Sequence, residues 1–428
     1  MELTLPGFVH DVCSSIYPLV PGSPFFRSLP LGEHGLDLVR PPAPLAHPFD
    51  DGTAILVEHS LEETAAGLGD DAEAYRRLVG AVCSGWADLE EAILGPLTHF
   101  PRHPLPLSRF GLHALRAAAP LARKTFATER ARALFAGCAA HSIAPLERKP
   151  TAAFGLLLLS WAHLFGWSFP RGGSQRIADA LASILRELGG EIVASAPVES
   201  LAELDAPTVV CDVVPRELVR IAGPQLPARY VRRLARFHHG PGAFKVDFAL
   251  DGPIPWRAEE CARAGTVHLG GTLVEIAASE RAPWEGRHAE RPFVLLAQHS
   301  LFDSTRAPAS KHTAWTYCHV PNGSDFDMTD RIEAQIERFA PGFRDLVVGR
   351  SVMPPAELER RNRNVVGGDL NAGAVTLWRL LARPVLSASP YRMPAKGLYL
   401  CSASTPPGGG VHGMCGYLAA CAALSDAL

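Results

Sequence analysis

Excess charge of either sign is missing from this chain. Its net charge is −3 over 428 residues with histidine counted neutral. That leaves no basic footprint for nucleic acid and no polyanionic tail. Metal-ligand spacing is missing too. The nine cysteines (Cys13, Cys83, Cys138, Cys211, Cys261, Cys318, Cys401, Cys415, Cys421) form no C-x-x-C pair and no zinc pattern. An odd, dispersed set fits reduced thiols, and the expected location is cytoplasmic. The opening residues 1–7 have neither a basic nor an apolar leader region, so no signal peptide is expected. The apolar stretch 154–159 falls far short of the roughly 20 residues a span needs. Peripheral membrane contact stays open. No nucleophile elbow and no P-loop occur, which removes hydrolase and NTPase readings. No internal repeat is found.

What is present reads as a packed globular protein, 47% hydrophobic and 20% charged. The length predicts two domains. Residues 1–60 read as loop-rich, with Pro and Gly clusters such as 40–44. Residues 61–165 read as helical. The stretch 72–94 carries Tyr75, Leu78, Val79, Val82, Trp86, Leu89 and Ile93 at helical spacing. Shorter helices are expected at 114–121 and 130–140.

The texture changes at Gly172-Gly173. Residues 174–188 form an amphipathic helix ended by Gly189-Gly190, because glycine tolerates the left-handed C-cap. Strands are expected at 191–194 and 208–211, the latter an apolar run suited to a buried parallel sheet. Pro215 opens a helix to Ile221. This alternation predicts an α/β layer. Strands are expected at 243–250, 266–269, 293–298 and 314–319, and a helix at 329–340. The end returns to α/β texture: strand 398–401, glycine-rich loop 402–412 and helix 413–424.

Gly408, Gly410 and Gly413 satisfy G-x-G-x-x-G between that strand and helix. No second strand follows to complete a βαβ unit, and no acidic residue stands about 20 positions on. The turn still lets backbone approach a ligand closely. The first N–H groups of the helix suit a phosphate or an electron-rich ring edge. A tight turn with no ligand is the other reading.

Three segments together resemble the phytoene-desaturase-like (phytoene dehydrogenase-related) branch of the flavin amine-oxidase superfamily. They are Pro170-Arg171-Gly172-Gly173-Ser174-Gln175 with Pro197-Val198-Glu199, then Thr208-Val209-Val210-Cys211-Asp212, then the segment 397–414. The opening Pro6-Gly7-Phe8-Val9-His10-Asp11 also looks like the piece that follows the N-terminal nucleotide-binding unit in that family. The resemblance implies an FAD-dependent dehydrogenase or desaturase with an apolar, lipid-like or polyene substrate. It implies an α/β fold with α+β character: a Rossmann-like FAD domain built from separated stretches, plus an inserted substrate domain of mixed sheet and helices. The FAD domain then takes 1–60, 166–230 and 386–428, and the substrate domain takes 61–165 (helical) and 231–385 (sheet). Gly172, Gly173 and Val198 would lie on the adenosine side. Gly409, Gly410, Val411 and Met414 would lie by the flavin ring, Ser402 near its ribityl chain, and Gly413 would also bind the cofactor.

The chain departs from the family before Pro6, where a strand, G-x-G-x-x-G, helix and acidic ribose ligand would stand. The FAD domain is therefore expected to be incomplete, to hold little FAD, and to expose a sheet that a partner chain would cover. A flavin-free binding protein or subunit is the alternative. His412 is the catalytic candidate, against a turn histidine bonded to backbone. Asn362, Asn364, Gly367, Gly368 and Asp369 either approach the substrate cavity or form an Asx-rich turn. His10-Asp11 is either an acid–base pair or a loop pair with a cap role. His238-His239 is read as structural. Trp161, His163, Phe165 and Trp167 line a cavity or pack the core. The glycine pairs at 172–173 and 408–413 are expected to meet in space. An elongated apolar pocket is expected between the domains, with Trp86 and Phe110 at its mouth or facing a membrane.

Overall fold

The computed structural model describes all residues, Met1–Leu428. Its centre is a seven-stranded sheet made of β1 (Ala43–Pro48), β2 (Ala54–Val57), β4 (Gly242–Leu250), β5 (Ala264–Leu269), β6 (Val294–Ala297), β7 (His312–Val320) and β8 (Val347–Met353). A separate strand, β3 (Val209–Cys211), pairs in parallel with β9 (Leu398–Leu400). The large sheet runs β8-β4-β7-β6-β5-β1-β2. Its pairs are antiparallel except β1 with β5.

All nine residues of β4 are buried, because both sheet faces are covered. On one face Phe244, Val246, Phe248, Val267 and Leu296 pack on Ile332, Ile336 and Phe339 of a helix at Thr329–Phe339. The other face meets the helical region 61–165. Leu45, Ala243, Leu295, Tyr317 and Met353 join a core with Leu134, Phe135 and Leu156. Those last residues lie on α2 (Glu129–Ala140) and α3 (Ala152–Leu164), which follow α1 (Pro104–Ala114). The fold is mixed α/β, with one large sheet and many helices.

Several sequence expectations differ from the structure. Residues 43–57 are not loop but strands β1 and β2, since Ala43, Leu45 and Ala46 are apolar and fully buried beside β5. The stretch 72–94 is helical but broken by a π-type turn at Arg76–Gly80 and by Gly85. No strand forms at 191–194, where Ile192 and Val193 are exposed with no pairing partner. Strand β3 is parallel as expected, yet Val210 is exposed, because only β9 lies beside it. The expected helix at 174–188 is α4 (Gln175–Glu187), and Gly189 ends it at φ +84°.

Candidate functional site

The two glycine segments, more than 230 residues apart in sequence, line one cavity of about 930 Å³. Gly172, Gly173 and Ser174 come from the start of α4. Gly408, Gly410, Val411, His412 and Gly413 come from the turn after β9. Cys415, Gly416 and Tyr417 come from the first turn of a helix at Met414–Ala427. His10, Asp11, Cys13 and Tyr17 close the cavity from the N-terminal segment. Glycine is required at 413, where φ is +69° and a Cβ would sit 2.2 Å from the Phe25 ring.

The first turn of the 414–427 helix is open to the cavity. The N–H of Met414 donates to His412 Nδ1 at 3.0 Å, and that of Tyr417 donates to Gly413 O at 3.1 Å. The N–H groups of Cys415 and Gly416 have no acceptor. A Cβ on Gly416 would meet nothing within 4 Å. Free N–H groups at a helix start, beside space, fit an electron-rich ring edge.

The start of α4 is different. The Gly172 N–H donates to Asp303 Oδ2 at 2.8 Å and the Ser174 N–H to Asp11 Oδ1 at 2.7 Å. Arg306, fully buried, ties both carboxylates together: Nη1 to Asp11 at 3.1 Å and Nε to Asp303 at 3.2 Å, with Nη2 donating to Pro170 O at 3.1 Å. Burial pushes the Asp11 carboxyl up, but His299, Arg306 and the Ser174 N–H outweigh it and bring it down to about 2. The carboxylates of Asp11 and Asp303 take the N–H groups of Gly172 and Ser174 just ahead of the helix, so a pyrophosphate there would meet two negative charges. The residues present suit the ring end of a flavin dinucleotide and not its phosphates.

Of the residues expected at the cofactor, Gly172, Gly173, Gly410, Val411 and Gly413 line the cavity. Val198, Ser402, Gly409 and Met414 do not. Val198 lies in the loop after α4 and its carbonyl faces Arg220. Ser402 folds its own turn, accepting from the Ser404 and Thr405 N–H groups. A Cβ on Gly409 would meet Asn371 at 2.9 Å, and Met414 packs into the helical core.

His412 lines the cavity, but both ring nitrogens are engaged. Nδ1 accepts from the Met414 N–H, so Nε2 carries the proton and donates to Gly408 O at 3.1 Å. Burial lowers its pKa to about 4. It caps the helix as a neutral ring, the arrangement of a turn histidine bonded to backbone, with both nitrogens engaged within its own turn. Asp369 likewise gathers the N–H groups of Gly240, Asn371 and Gly373 and His239 Nδ1, which makes the 362–373 loop an Asx-type turn. Trp161 packs edge-on to Trp86, and Tyr75 Oη is 2.7 Å from His163 Nε2, so that aromatic set belongs to the core. Trp86 and Phe110 are themselves buried and face neither a membrane nor a pocket mouth.

The sequence reading missed a buried polar group beside the cavity. Lys245 and Asp247, both on β4, form an ion pair. Burial lowers the Lys245 pKa and raises that of Asp247. Asp247 Oδ1 lies 3.6 Å from His10 Nδ1, and neither atom has a hydrogen-bond partner. His10 Nε2 pairs with Thr4 Oγ1 at 2.8 Å. The signal was legible: two charges at alternate positions of an apolar strand put both on one face. Arg306 and Asp303 gave no comparable signal, because Asp11 and Gly172, which they meet, lie 295 and 131 positions away respectively.

No family model matches the chain. It is 31% identical over 298 residues to the rat protein "pyridine nucleotide-disulfide oxidoreductase domain-containing protein 2", covering 59% of this chain and 50% of that protein. The mouse protein of that name is 30% identical over the same shares. The chain spans about half the length of these curated relatives. Among solved structures, an oxidoreductase from Methanosarcina mazei superposes with a TM-score of 0.62 at 14% identity, over 98% of this chain and 90% of that one. A putrescine oxidase bound to putrescine gives 0.58 at 17%, over 97% and 88%. These likenesses show a shared fold.

Proposed function

We propose that this chain is the body of a flavin-dependent oxidoreductase of the phytoene-desaturase-like kind, acting on an apolar, lipid-like or polyene substrate. One observation carries the reading: the two glycine segments, remote in sequence, line a single cavity with a helix start whose N–H groups are free. The curated relatives, named as oxidoreductase-domain proteins, and the fold shared with oxidoreductases support it. The flavin, when bound, supplies the redox chemistry. The protein's part is to hold the ring edge with the Cys415 and Gly416 N–H groups, to shape the cavity with Gly410 and Gly413, and to shield it with Phe25, Phe26 and Tyr17. The pair Lys245–Asp247, continued to His10, holds a proton site at the cavity wall.

The phosphate cradle is to come from a strand, G-x-G-x-x-G turn and helix joined to this chain or borne by a partner. The test is the flavin absorbance of the purified chain against that of a fusion carrying such a unit with its acidic ribose ligand ahead of Met1. Little FAD in the first and one FAD per chain in the second is expected. Gly416→Leu in the fusion fills the open space and lowers FAD affinity at least tenfold, about 1.4 kcal/mol, with unchanged melting of the FAD-free protein. Full FAD in the unextended chain overturns the need for the added unit. No FAD in either overturns the flavin reading.

A second reading, a flavin-free binding protein or subunit, is favoured by the helix start at α4, whose N–H groups Asp11 and Asp303 already occupy. In that case a partner chain covers the exposed flank of Leu185, Leu188 and Val210.

A further inference from the structure

Two stretches of the chain carry no acidic residue, 218–246 and 370–425, although the whole holds 44 acids against 41 lysines and arginines. The fold sets the two side by side. Arg379 Nη2 donates to Arg236 O at 3.1 Å, and its guanidinium lies 4.3 Å from the centre of the Phe237 ring. The Ala374 N–H donates to His238 O at 3.0 Å, and Tyr230 Oη to Met393 Sδ at 3.4 Å. A chain of small net charge thereby gathers positive charge on one face.

The first stretch holds a helix at Ala228–Leu234. Its inner side, Tyr230, Val231 and Leu234, packs on the cluster that includes Leu398 and Leu400 of β9. Its outer side is Arg229, Arg232 and Arg233, continued by Arg236 in the turn that follows, and all four are exposed. Positions three, four and seven apart share one helical face, so the guanidinium groups form a stripe about 10 Å long. None of the four forms an ion pair, because the acids of the adjoining helices are matched elsewhere: Glu199 and Glu217 by Arg220, and Glu359 by Arg216. Glu203 and Asp205, in the loop ahead of β3, pair with none of them either. Beside the stripe, a short helix at Leu377–Leu381 carries Arg379 and exposes Leu377, Trp378 and Leu381, Trp378 by 61%. Arginine and tryptophan together are what the centre of a protein–protein contact is rich in, whereas a merely solvated face favours lysine and glutamate.

We propose that this face docks an acidic segment of a partner protein, one that presents several carboxylates over about 10 Å with apolar side chains among them. The carboxylates meet Arg229, Arg232, Arg233 and Arg236, and the apolar side chains cover Trp378 and Leu381. The guanidinium fork bonds both oxygens of a carboxylate at once, which a lysine ammonium does not. Leu377 and Leu381 beside Trp378 favour a protein over a polyphosphate, which has nothing to bury there. The docked segment stands next to the cavity wall: Arg383, just beyond the short helix, donates from Nε to Ala403 O at 2.8 Å, and Ala403 lines the cavity. Docking does not rest on the flavin reading of that cavity.

The test is fluorescence anisotropy of the full chain with labelled probes: a glutamate–leucine peptide, polyglutamate, a lysine–leucine peptide and duplex RNA. The glutamate–leucine peptide is expected to bind best, polyglutamate more weakly and the lysine–leucine peptide not at all, and binding of the first two falls with salt. Arg232→Glu with Arg233→Glu, both exposed, lowers binding of both acidic peptides about a hundredfold. Trp378→Ala lowers binding of the glutamate–leucine peptide about tenfold and leaves polyglutamate unchanged. Arg77→Ala, on an exposed helix elsewhere, changes neither, and circular dichroism of every variant matches the parent. No salt-dependent binding of the acidic peptides, or binding that either the arginine or the tryptophan change leaves intact, overturns the proposal. Tighter capture of duplex RNA, lost in the arginine variant, assigns the stripe to nucleic acid, and a dimer in light scattering lost in that variant assigns it to a second copy of the chain. Either result overturns the proposal as well.

Discussion

The half of the molecule built on the seven-stranded sheet and the half that carries the glycine turns are held together by different means. The first has two apolar clusters of 46 and 24 buried residues. The second has clusters of 10, 7 and 5, and a sheet of two three-residue strands. In the first half the position of any backbone segment is fixed by many apolar neighbours at once. In the second it depends on single polar ties: Arg306 to Asp11 and Asp303, Arg383 to the turn at 403, Ser23 Oγ to His412 O at 2.5 Å. The cavity belongs to the half whose geometry a single substitution changes.

The contrast predicts unequal costs. Leu134→Ala, in the large core, is expected to cost about 4–5 kcal/mol, because a rigid surrounding cannot close the hole. Leu218→Ala, in the ten-residue cluster, should cost about 2–3 kcal/mol, because a small cluster collapses more readily. Denaturant unfolding measures both. Hydrogen exchange should show lost protection across the whole chain for the first and only around 209–234 and 398–400 for the second. Equal costs with global loss in both would merge the two halves into one cooperative unit.

Arg306→Met tests the polar ties. It leaves two buried carboxylates without their guanidinium and should cost about 3–4 kcal/mol, whereas Arg77→Met, in an exposed pair with Glu73, should cost about 1 kcal/mol or less. Adding Asp11→Asn to Arg306→Met should recover part of the loss. Failure of that double variant to recover anything would mean Arg306 acts by packing alone.

Acid should weaken both halves. Burial holds His47 and His163 at about 4, and His268 below its ordinary range, in the sheet half. It does the same to His10, at about 3, and to His299 and His412, at about 4, beside the cavity. In the unfolded chain each takes up a proton near pH 6.5. Their contribution is therefore full above about pH 6.5 and is lost as pH falls from there toward 4. Asp247, whose carboxyl burial raises, works in the opposite direction but is one group against six. Thermal melts from pH 7 to 5 should lose several degrees, and a flat profile would contradict the neutral buried histidines.

The smallest effect concerns His412. His412→Ala removes a cap from the 414–427 helix and should cost about 1 kcal/mol. In the FAD-loaded fusion it should leave the pH profile of flavin reduction without a lost limb near neutrality. Disappearance of such a limb would restore His412 as an acid–base residue.

The sequence by itself determined the elements that follow from local rules. Helix α4 ends at Gly189 because a left-handed residue is needed there, and β4, β5, β6 and β7 stand where apolar runs predict them. It also placed a close-approach turn at 408–413, since only glycine adopts those angles without strain. What tertiary structure decided was which neighbour each residue met. Trp86 and Phe110 turned inward because the helical core closes over them, while Phe100 and Trp378 were left outside. The start of α4, open by every local rule, was filled by carboxylates from positions 11 and 303. His412 was engaged at both nitrogens by its own turn. Periodicity reports that a side chain is to be buried or that a helix end needs a partner. It does not carry the identity of that partner when the partner arrives from hundreds of residues away.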